Sequence, residues 1–287
     1  MVATVIDGKA IAAKYRIQIA QGVTALRAQG HLAALTVILV GDDPASAVYV
    51  RNKIRACQET GIRSELIQLP ASTTEAELLA RIQALNLDDA VDGILVQFPL
   101  PKHLSEKKVL ETISLEKDVD GFHAANIGAL VQGQAGLISC TPLACMKLLE
   151  AADVKIEGAH AVVVGRSVNV GKPMALLLLQ ANATVTICHS ATNNLASITR
   201  QADILISAVG RINTIRAEMV KPLATVIDIG INRDANGKIV GDVDFEAVLQ
   251  VAGKITPVPG GVGPMTIAML MNNTLLAAQA RRKISLL

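Results

Sequence analysis

The chain has 287 residues, of which 51% are hydrophobic, and this length is enough for about two domains that each bury a core. Its 27 basic and 25 acidic residues are well mixed and leave a net charge of +2, so the composition disfavours nucleic acid or another polyanion as a partner. The high apolar content also excludes a disordered chain.

Cysteine and histidine spacing argues against a metal centre. The four cysteines and five histidines contain neither a C-x-x-C nor an H-x-x-x-H pair, so we expect no bound metal and no disulfide framework. Asp7, Lys9 and Lys14 interrupt the apolar amino terminus, unlike a secretory signal. No apolar run approaches the roughly 18 to 20 residues of a membrane span, and together these features predict a cytoplasmic protein without membrane contact.

The first half of the chain predicts alternating helices and strands. The predicted helices cover residues 8–29, 45–60 and 74–86, and the predicted strands cover residues 35–40, 64–69 and 93–97. The helix over 45–60 has the clearest ends, with Asp42 or Asp43 as its cap, Pro44 in its first turn and Gly61 after its last residue. Strands separated by helices of this length are typical of parallel sheets.

The alternation restarts near Cys140. Helices are predicted over residues 142–151, 172–181, 194–200 and 265–281, and strands over residues 161–164, 184–188, 204–207 and 226–229. We therefore predict an α/β protein of two domains. The first contains residues 1–139 and the carboxyl-terminal helix at about 265–287, which packs back on it, and the second contains residues 140–264.

A glycine turn marks the second domain. Gly165 directly follows the strand at 161–164, and Gly171 opens the next helix, where backbone N–H groups and the helix dipole could meet a pyrophosphate. The spacing departs from G-x-G-x-x-G, and a tight turn without a ligand is an alternative interpretation. Pro173 stands where a P-loop needs Ser or Thr to hold magnesium, which disfavours ATP or GTP hydrolysis.

The strand after this turn indicates which nicotinamide cofactor would fit. Residues 188–190 offer no Asp or Glu to accept from the ribose 2′-hydroxyl of NAD. Arg166 and Ser190 could instead bind a 2′-phosphate, so the sequence favours NADP.

Tyr49 and Lys53 lie four residues apart on a predicted helix and therefore share one face. Taken alone, this spacing favours an ordinary, partly exposed Tyr–Lys pair over a functional one. Gln97 ends a buried strand, and ligands in such sheets bind beyond the carboxyl ends of the strands. For Asp118 and Asp120 in the turn that follows, turn capping and ligand binding are both open.

Five phrases, taken in order, resemble one enzyme family over nearly the whole chain. They are VGDDPAS at 40–46 with Tyr49 and Lys53, GILVQFPLP at 93–101, KDVDG at 117–121, VGRS at 164–167 with GKPM at 171–174, and PVPGGVGPMT at 257–266. The chain resembles the bifunctional methylenetetrahydrofolate dehydrogenase/cyclohydrolase family. Two departures, Ala144 for a common Gly and Ala191 for a frequent Lys, concern helix packing and a cofactor contact.

The resemblance implies a folate-binding catalytic domain, a Rossmann-type NADP-binding domain and an active cleft between them. It implies conversion of 5,10-methylenetetrahydrofolate to 10-formyltetrahydrofolate, by hydride transfer to NADP and hydrolysis of the methenyl cation. It also implies a homodimer that works in one-carbon metabolism.

The resemblance also assigns roles to individual residues. Lys53 is the main catalytic residue, Gln97 supports it, Tyr49 stacks on the pterin and Asp120 anchors the pterin by hydrogen bonds. The residues that would hold NADP are Gly165, Arg166, Ser167, Gly171, Ser190 and Ile231. The residues placed where folate and nicotinamide meet are Pro259, Gly260 and Gly261.

Two rival functions follow from parts of the pattern. A short-chain dehydrogenase also uses Tyr-x-x-x-Lys, but its glycine turn precedes that pair, whereas Tyr49 precedes Gly165 here. A catalytically silent NADP-binding sensor or scaffold on the same fold is the alternative from another class. The joint presence of Lys53, Gln97 and Asp120 favours the enzyme.

Overall fold

The computed structural model describes residues 2–284, and the chain divides into two compact α/β units. The three-stranded unit contains Lys14–Cys140 and residues 267–284, and the six-stranded unit contains residues 2–13 and Thr141–Thr266. Each unit is built around a parallel sheet, which confirms the predicted fold class.

The elements follow one another along the chain as alternating helices and strands. The strands are β1 (Thr4–Val5), β2 (Ala34–Val40), β3 (Arg63–Leu69), β4 (Gly93–Val96), β5 (His160–Val164), β6 (Thr184–Cys188), β7 (Ile204–Ser207), β8 (Thr225–Asp228), β9 (Asn232–Arg233), β10 (Ile239–Val240) and β11 (Lys254–Ile255). The helices are α1 (Gly8–Ala28), α2 (Pro44–Thr60), α3 (Glu75–Leu87), α4 (Glu106–Thr112), α5 (Ala124–Val131), α6 (Cys140–Ala151), α7 (Gly171–Gln180), α8 (Leu195–Thr199), α9 (Phe245–Val248) and α10 (Val262–Arg281). Three of them, α4, α5 and α9, lie where the sequence patterns predict no element.

The three-stranded unit has the strand order β3-β2-β4. All seven residues of β2 are buried, because this strand lies in the centre of the sheet. Helix α2 begins and ends as its sequence predicts. The Asp43 carboxylate accepts a hydrogen bond of 2.7 Å from the Ser46 N–H, and Gly61 ends the helix in the left-handed conformation with φ 76°.

The six-stranded unit has the order β1-β11-β8-β7-β5-β6, and all of its strands are parallel. Thr4 pairs with Lys254 and Val5 with Ile255, which places residues 2–13 in this unit instead of in the predicted first domain. A strand of two residues is too short to show the period-two alternation by which strands are found in a sequence. β1 is therefore recognised only through its pairing with β11.

The carboxyl-terminal helix packs on the three-stranded unit, as predicted. From residue 267 onward α10 belongs to that unit, and the Asn273 side-chain amide donates to the Val119 and Ile138 carbonyls at 2.9 and 2.8 Å. The Cys57 thiol contacts the Met271 sulfur at 3.5 Å. Among the described residues, none of the helices is both long and apolar enough to cross a membrane.

A buried carboxylate ties the end of α10 to this unit. Asp92 is 0% exposed and accepts from the Ala34 N–H at 2.9 Å. Arg281 and Arg282 donate to its other oxygen at 2.8 and 2.5 Å. A buried charge of this kind is tolerated only when it is fully paired, so the three donors depend on Asp92.

Asp92→Asn is expected to lower the free energy of unfolding by about 3 to 5 kcal/mol, because it removes the buried carboxylate that neutralises Arg281 and Arg282, whose side chains are 13% and 17% exposed. Urea denaturation would measure this change. Asp89→Asn is the matched control, since Asp89 also contacts Arg281, at 3.3 Å, but its side chain is fully exposed. The free energy of unfolding of that control should stay close to that of the wild type, because an exposed ion pair is screened by water, and equal losses for the two variants would contradict the prediction.

Candidate active site

Lys53 and Gln97 meet in the three-stranded unit. Lys53 lies on α2, and its ammonium donates to the Gln97 side-chain oxygen at 3.0 Å. The Gln97 amide nitrogen donates to the Phe98 carbonyl at 2.6 Å, which leaves the oxygen turned towards the lysine. The Gln97 backbone N–H bonds to the Ile38 carbonyl at 2.9 Å and so anchors this residue to β2. The structure therefore places a half-buried amine in one defined orientation.

Tyr49 lies one turn before Lys53 on α2, as the spacing predicts. It is 38% exposed, whereas Lys53 is half-buried. A partly exposed aromatic ring offers a flat apolar face to a ring-shaped ligand. The stacking role of Tyr49 remains a prediction.

The acidic turn lies beside β4, where Ile94 forms a parallel bridge with Asp118. The Asp118 carboxylate is buried and accepts from the Phe122 and His123 N–H groups at 3.2 and 2.8 Å and from the Asn126 side chain at 2.8 Å. Asp118 therefore shapes the turn, which was one of the two roles that its sequence left open.

Asp120 lies two residues further on and has a different environment. Burial raises the pKa of its carboxyl group, the nearby positive charge of Lys53 opposes this rise, and the Asp118 carboxylate adds to it. The Asp120 and Lys53 charges are thus close enough to influence each other. A carboxyl group with a raised pKa can exchange a proton with a ligand more readily than an ordinary surface aspartate.

Two residues behind Asp120 escape the sequence analysis. Cys140 is buried and donates its thiol to the Val119 carbonyl at 3.2 Å, and burial raises its pKa well above the usual range. Asn273 holds the same carbonyl from α10. In the sequence, Asn273 stands out only as a polar residue at a buried position of the apolar helix α10. That pattern does not reveal its hydrogen-bond partner.

The glycine turn of the six-stranded unit is made of closely packed backbone. Gly165 has φ 138°, and a Cβ atom there would lie 2.4 Å from the Ala208 carbonyl oxygen. A Cβ atom on Gly171 would lie 2.3 Å from the Gly165 carbonyl oxygen. These positions therefore require glycine, because backbone atoms pack where a side chain would stand.

Ser167 caps this turn from within. Its hydroxyl accepts from the Val170 and Gly171 N–H groups at 3.2 Å each, and its carbonyl accepts from the Lys172 N–H at 3.0 Å. The first N–H groups of α7 are thus bonded inside the turn, so they are less available to a pyrophosphate than the sequence suggests. The helix dipole still favours an anion at this end.

Arg166 and Ser190 occupy equivalent positions just after the neighbouring strands β5 and β6. Val164 pairs with Cys188, and each of the two residues follows its paired residue by two positions. Both side chains are exposed at the carboxyl edge of the sheet. Ile231, 52% exposed, follows β8 at the same edge.

The glycine-proline loop follows β11 in the same unit. Pro259 is exposed, and the Gly260 carbonyl accepts from the Lys9 N–H at 2.9 Å. The predicted site residues thus divide between the units. Those in the three-stranded unit are Tyr49, Lys53, Gln97 and Asp120, and those in the six-stranded unit are Gly165, Arg166, Ser167, Gly171, Ser190, Ile231, Pro259, Gly260 and Gly261.

Cysteines and acidic groups show no arrangement for a metal in the part of the chain that the structure describes. All four cysteines are buried free thiols. Across residues 2–284, no group of three or more His, Cys, Asp or Glu side chains could hold a metal ion.

Asp228, at the end of β8, is a buried acid that the sequence analysis did not single out. Burial raises its pKa to about 6, hydrogen bonds from backbone N–H groups oppose the rise, and the neighbouring Asp242 carboxylate adds to it. An aspartate in an unfolded chain has a pKa near 3.9, so the folded protein holds this proton more tightly than the unfolded chain does.

The stability of the wild-type protein relative to Asp228→Asn should therefore fall as the pH rises from about 4 to 6, by up to about 3 kcal/mol. Urea denaturation of both proteins at several pH values would measure this difference. Asp203→Asn is a control of opposite sign, because the Lys221 ammonium lowers the pKa of Asp203. The stability of the wild type relative to Asp203→Asn should rise with pH. A pH-independent difference between the wild type and Asp228→Asn would contradict the prediction.

Comparison with known proteins identifies the family. Residues 6–120 match the model of the tetrahydrofolate dehydrogenase/cyclohydrolase catalytic domain, and residues 139–282 match that of the NAD(P)-binding domain of the same family. The bifunctional protein FolD of Ralstonia nicotianae is 62% identical, with 97% of this chain and 96% of the relative covered. FolD of Delftia acidovorans is 59% identical, with 97% and 99% covered.

Solved structures agree with these matches. The bifunctional FolD enzyme of Campylobacter jejuni has a TM-score of 0.95 and 51% identity, with 97% of this chain and 99% of that chain covered. The Trypanosoma brucei enzyme, solved with NADP and an inhibitor, has a TM-score of 0.93 and 38% identity, with 99% and 100% covered. The chain therefore belongs to the tetrahydrofolate dehydrogenase/cyclohydrolase family.

Proposed function

We propose that this protein is a bifunctional NADP-dependent methylenetetrahydrofolate dehydrogenase and methenyltetrahydrofolate cyclohydrolase. It oxidises 5,10-methylenetetrahydrofolate to the methenyl cation and hydrolyses that cation to 10-formyltetrahydrofolate, as one step of one-carbon metabolism. The observation that carries this proposal is the oriented Lys53–Gln97 pair beside Asp120, in a chain 62% identical to a bifunctional FolD protein.

The three-stranded unit supplies the folate site. Tyr49 offers a ring for stacking on the pterin, and Asp120 offers a carboxyl group to the hydrogen-bonding edge of that ring. Because the pKa of Asp120 is raised, the carboxyl can share a proton with the pterin as well as accept from it. Lys53 then lies next to the substrate that these two residues hold.

The six-stranded unit supplies the NADP site, and its residues fit that cofactor. Gly165 and Gly171 keep side chains off the turn, the dipole of α7 favours the pyrophosphate at this end, and Ser167 holds the turn in shape. Arg166 and Ser190 follow neighbouring strands and are exposed, so they suit the 2′-phosphate, and Ile231 suits the remainder of the cofactor. When bound, NADP accepts the hydride from the one-carbon bridge.

The glycine-proline loop permits close approach of the reacting rings. Hydride transfer requires donor and acceptor carbons at about 3 to 3.5 Å, and bulky side chains would prevent this separation. Pro259, Gly260 and Gly261 present little beyond backbone, so we assign them contacts to both ligands.

Hydrolysis of the methenyl cation depends on Lys53. Water adds to the cationic carbon and loses a proton as the C–O bond forms. The bond from that carbon to N5 then breaks, N5 keeps the electron pair and takes up a proton, and the formyl group remains on N10. The Lys53 amine, if unprotonated, takes the proton from the water, and as an ammonium it positions the water. In both cases Gln97 fixes the nitrogen through the 3.0 Å hydrogen bond.

The same family relationship supports a homodimer located in the cytoplasm. The relatives named as bifunctional FolD proteins support the enzyme and give no support to a silent sensor. Light scattering should give about twice the 30.1 kDa mass of the chain.

The overall proposal is tested by mixing the purified protein with methylenetetrahydrofolate and NADP. Absorbance should show NADPH and the methenyl intermediate, followed by the formyl product. Binding of NADP without turnover would favour the sensor and would contradict the proposal.

Lys53→Met should lower the cyclohydrolase rate by about 10²- to 10⁴-fold, because it removes the group that handles the proton of the water. Hydride transfer should change by less than about tenfold, since that step needs no proton relay. The two rates are measured separately, with methenyl- and methylenetetrahydrofolate as substrates. Lys107→Met, on an exposed surface of the same unit, is the control. Retained formyl production in Lys53→Met would refute the assignment.

Arg166→Ala should raise the KM for NADP about tenfold, because it removes a charge-assisted hydrogen bond to the 2′-phosphate. The KM for NAD, which lacks that phosphate, should change little. Steady-state kinetics with both cofactors give the comparison. An equal loss for NAD and NADP would show that Arg166 acts on the turn instead of on the phosphate.

A further inference from the structure

Asp228 and Asp242 form a buried acidic pair in the six-stranded unit. Asp228 ends β8, and Asp242 lies between β10 and α9. Both side chains are almost fully buried, with Asp242 at 0% exposure. Neither residue has a part in the proposed binding or proton-transfer steps, so the retention of two adjacent buried carboxylates needs a separate explanation.

Asp242 accepts hydrogen bonds on both carboxylate oxygens. The donors to Oδ2 are the N–H groups of Val209 at 2.7 Å and Gly210 at 3.2 Å and the hydroxyl of Ser207 at 3.2 Å. The donors to Oδ1 are the Arg211 N–H at 2.9 Å and the Asn232 side-chain amide at 2.9 Å. One side chain thereby fixes three consecutive backbone N–H groups of the loop that follows β7.

Asp228 accepts one hydrogen bond from the loop that follows β8 and two from the backbone at residues 242 and 243. Its Oδ1 accepts from the Gly230 N–H at 2.9 Å and from the Asp242 N–H at 3.0 Å, and its Oδ2 accepts from the Val243 N–H at 3.0 Å. A Cβ atom on Gly241 would lie 1.8 Å from Asp228 Oδ2, so the backbone packs directly on this carboxylate. The Asp242 N–H joins the two carboxylates in one network.

Ile231 is held from both sides by this pair. The preceding Gly230 bonds to Asp228 through its N–H, and the following Asn232 bonds to Asp242 through its side chain. Ile231 itself remains 52% exposed and is one of the residues assigned to NADP. Its backbone position is therefore set by both carboxylates.

The loop after β7 also borders the cofactor turn. Its first residue, Ala208, lies against Gly165, since a Cβ atom on that glycine would meet the Ala208 carbonyl oxygen at 2.4 Å. The next three residues carry the N–H groups that Asp242 binds. Both loops that the pair holds are therefore loops at the carboxyl edge of the sheet, where a dinucleotide binds.

We propose that Asp242, together with Asp228, is a positioning residue that preorganises loops 208–211 and 229–232 for NADP. The inference rests on the proposed NADP site. Irregular loops without such anchors would have to be ordered when the cofactor binds, and this ordering lowers affinity. A carboxylate suits the task because each of its oxygens accepts several N–H donors, whereas an amide has one acceptor oxygen and turns an NH₂ group towards the remaining donors.

Asp242→Asn tests the proposal with two measurements. In either orientation of the new amide, at least two of the five donors lose their acceptor. Isothermal titration with NADP should give a Kd at least about tenfold higher than that of the wild type. Hydrogen exchange of the ligand-free protein should accelerate in residues 208–211 and 229–232, while β5 and β6 keep their wild-type exchange.

Asp203→Asn is the matched control, because Asp203 is a carboxylate of the same unit at the amino ends of the strands. It accepts from the His160 N–H at 2.9 Å and from the Lys221 ammonium at 2.6 Å. The Kd for NADP and the exchange of the two loops should stay at wild-type values in this variant. A change equal to that of Asp242→Asn would mean a general loss of stability and would overturn the proposal.

The remaining outcomes are also decisive. Wild-type Kd and wild-type loop exchange in Asp242→Asn would overturn the proposal. If that variant does not fold, Asn232→Ala takes its place, since it removes the bond from residues 229–232 to Asp242 and leaves four other donors on that carboxylate. Faster exchange in 229–232 supports the proposal, and unchanged exchange refutes it. If the wild type binds no NADP, the proposed function fails, whereas exchange of the ligand-free protein still tests the role of the pair.

Discussion

Parallel strand pairing is the constraint on which the candidate site depends. In a parallel sheet all strands end at the same edge, so the residues that follow them gather there even when they are far apart along the chain. Gln97 follows β4 and Asp120 follows the bridge beside it, whereas Arg166, Ser190 and Ile231 follow β5, β6 and β8. The helices that connect the strands are needed to make this pairing possible, and α2 also contributes Lys53.

Buried charge is used in two different ways in this protein. Asp92 is neutralised by two arginines and ties α10 to the sheet, so its contribution is to stability. Asp118, Asp228 and Asp242 are instead surrounded by N–H donors, and their contribution is to the shape of loops. The difference follows from the donors. A guanidinium group supplies a compensating positive charge, whereas backbone N–H groups carry no net charge and fix the conformation of the loop to which they belong.

The proposed hydrolysis of the methenyl cation requires a lysine that is held in one orientation and can still reach the substrate. Gln97 provides this combination, since it accepts from the Lys53 amine while its own amide is fixed by the adjacent Phe98 carbonyl. Asp120 is close enough for its carboxyl group and the Lys53 charge to influence each other. Cys140 and Asn273 both donate to the Val119 carbonyl and so support the turn that carries Asp120.

The amino-acid sequence by itself determined the helices and strands with strong local patterns, and the family phrases. The apolar strands β2 and β4 to β8, the cap at Asp43 and the glycine end of α2 were predictable, because each depends on residues close together in the chain. The Tyr49–Lys53 face followed from the helical repeat alone. Only the tertiary structure decided that β1 pairs with β11, that Gln97 reaches Lys53, and that Asp228 and Asp242 hold two loops. These contacts join residues separated by 14 to 250 positions, and side-chain periodicity carries no information about a partner that lies in another element.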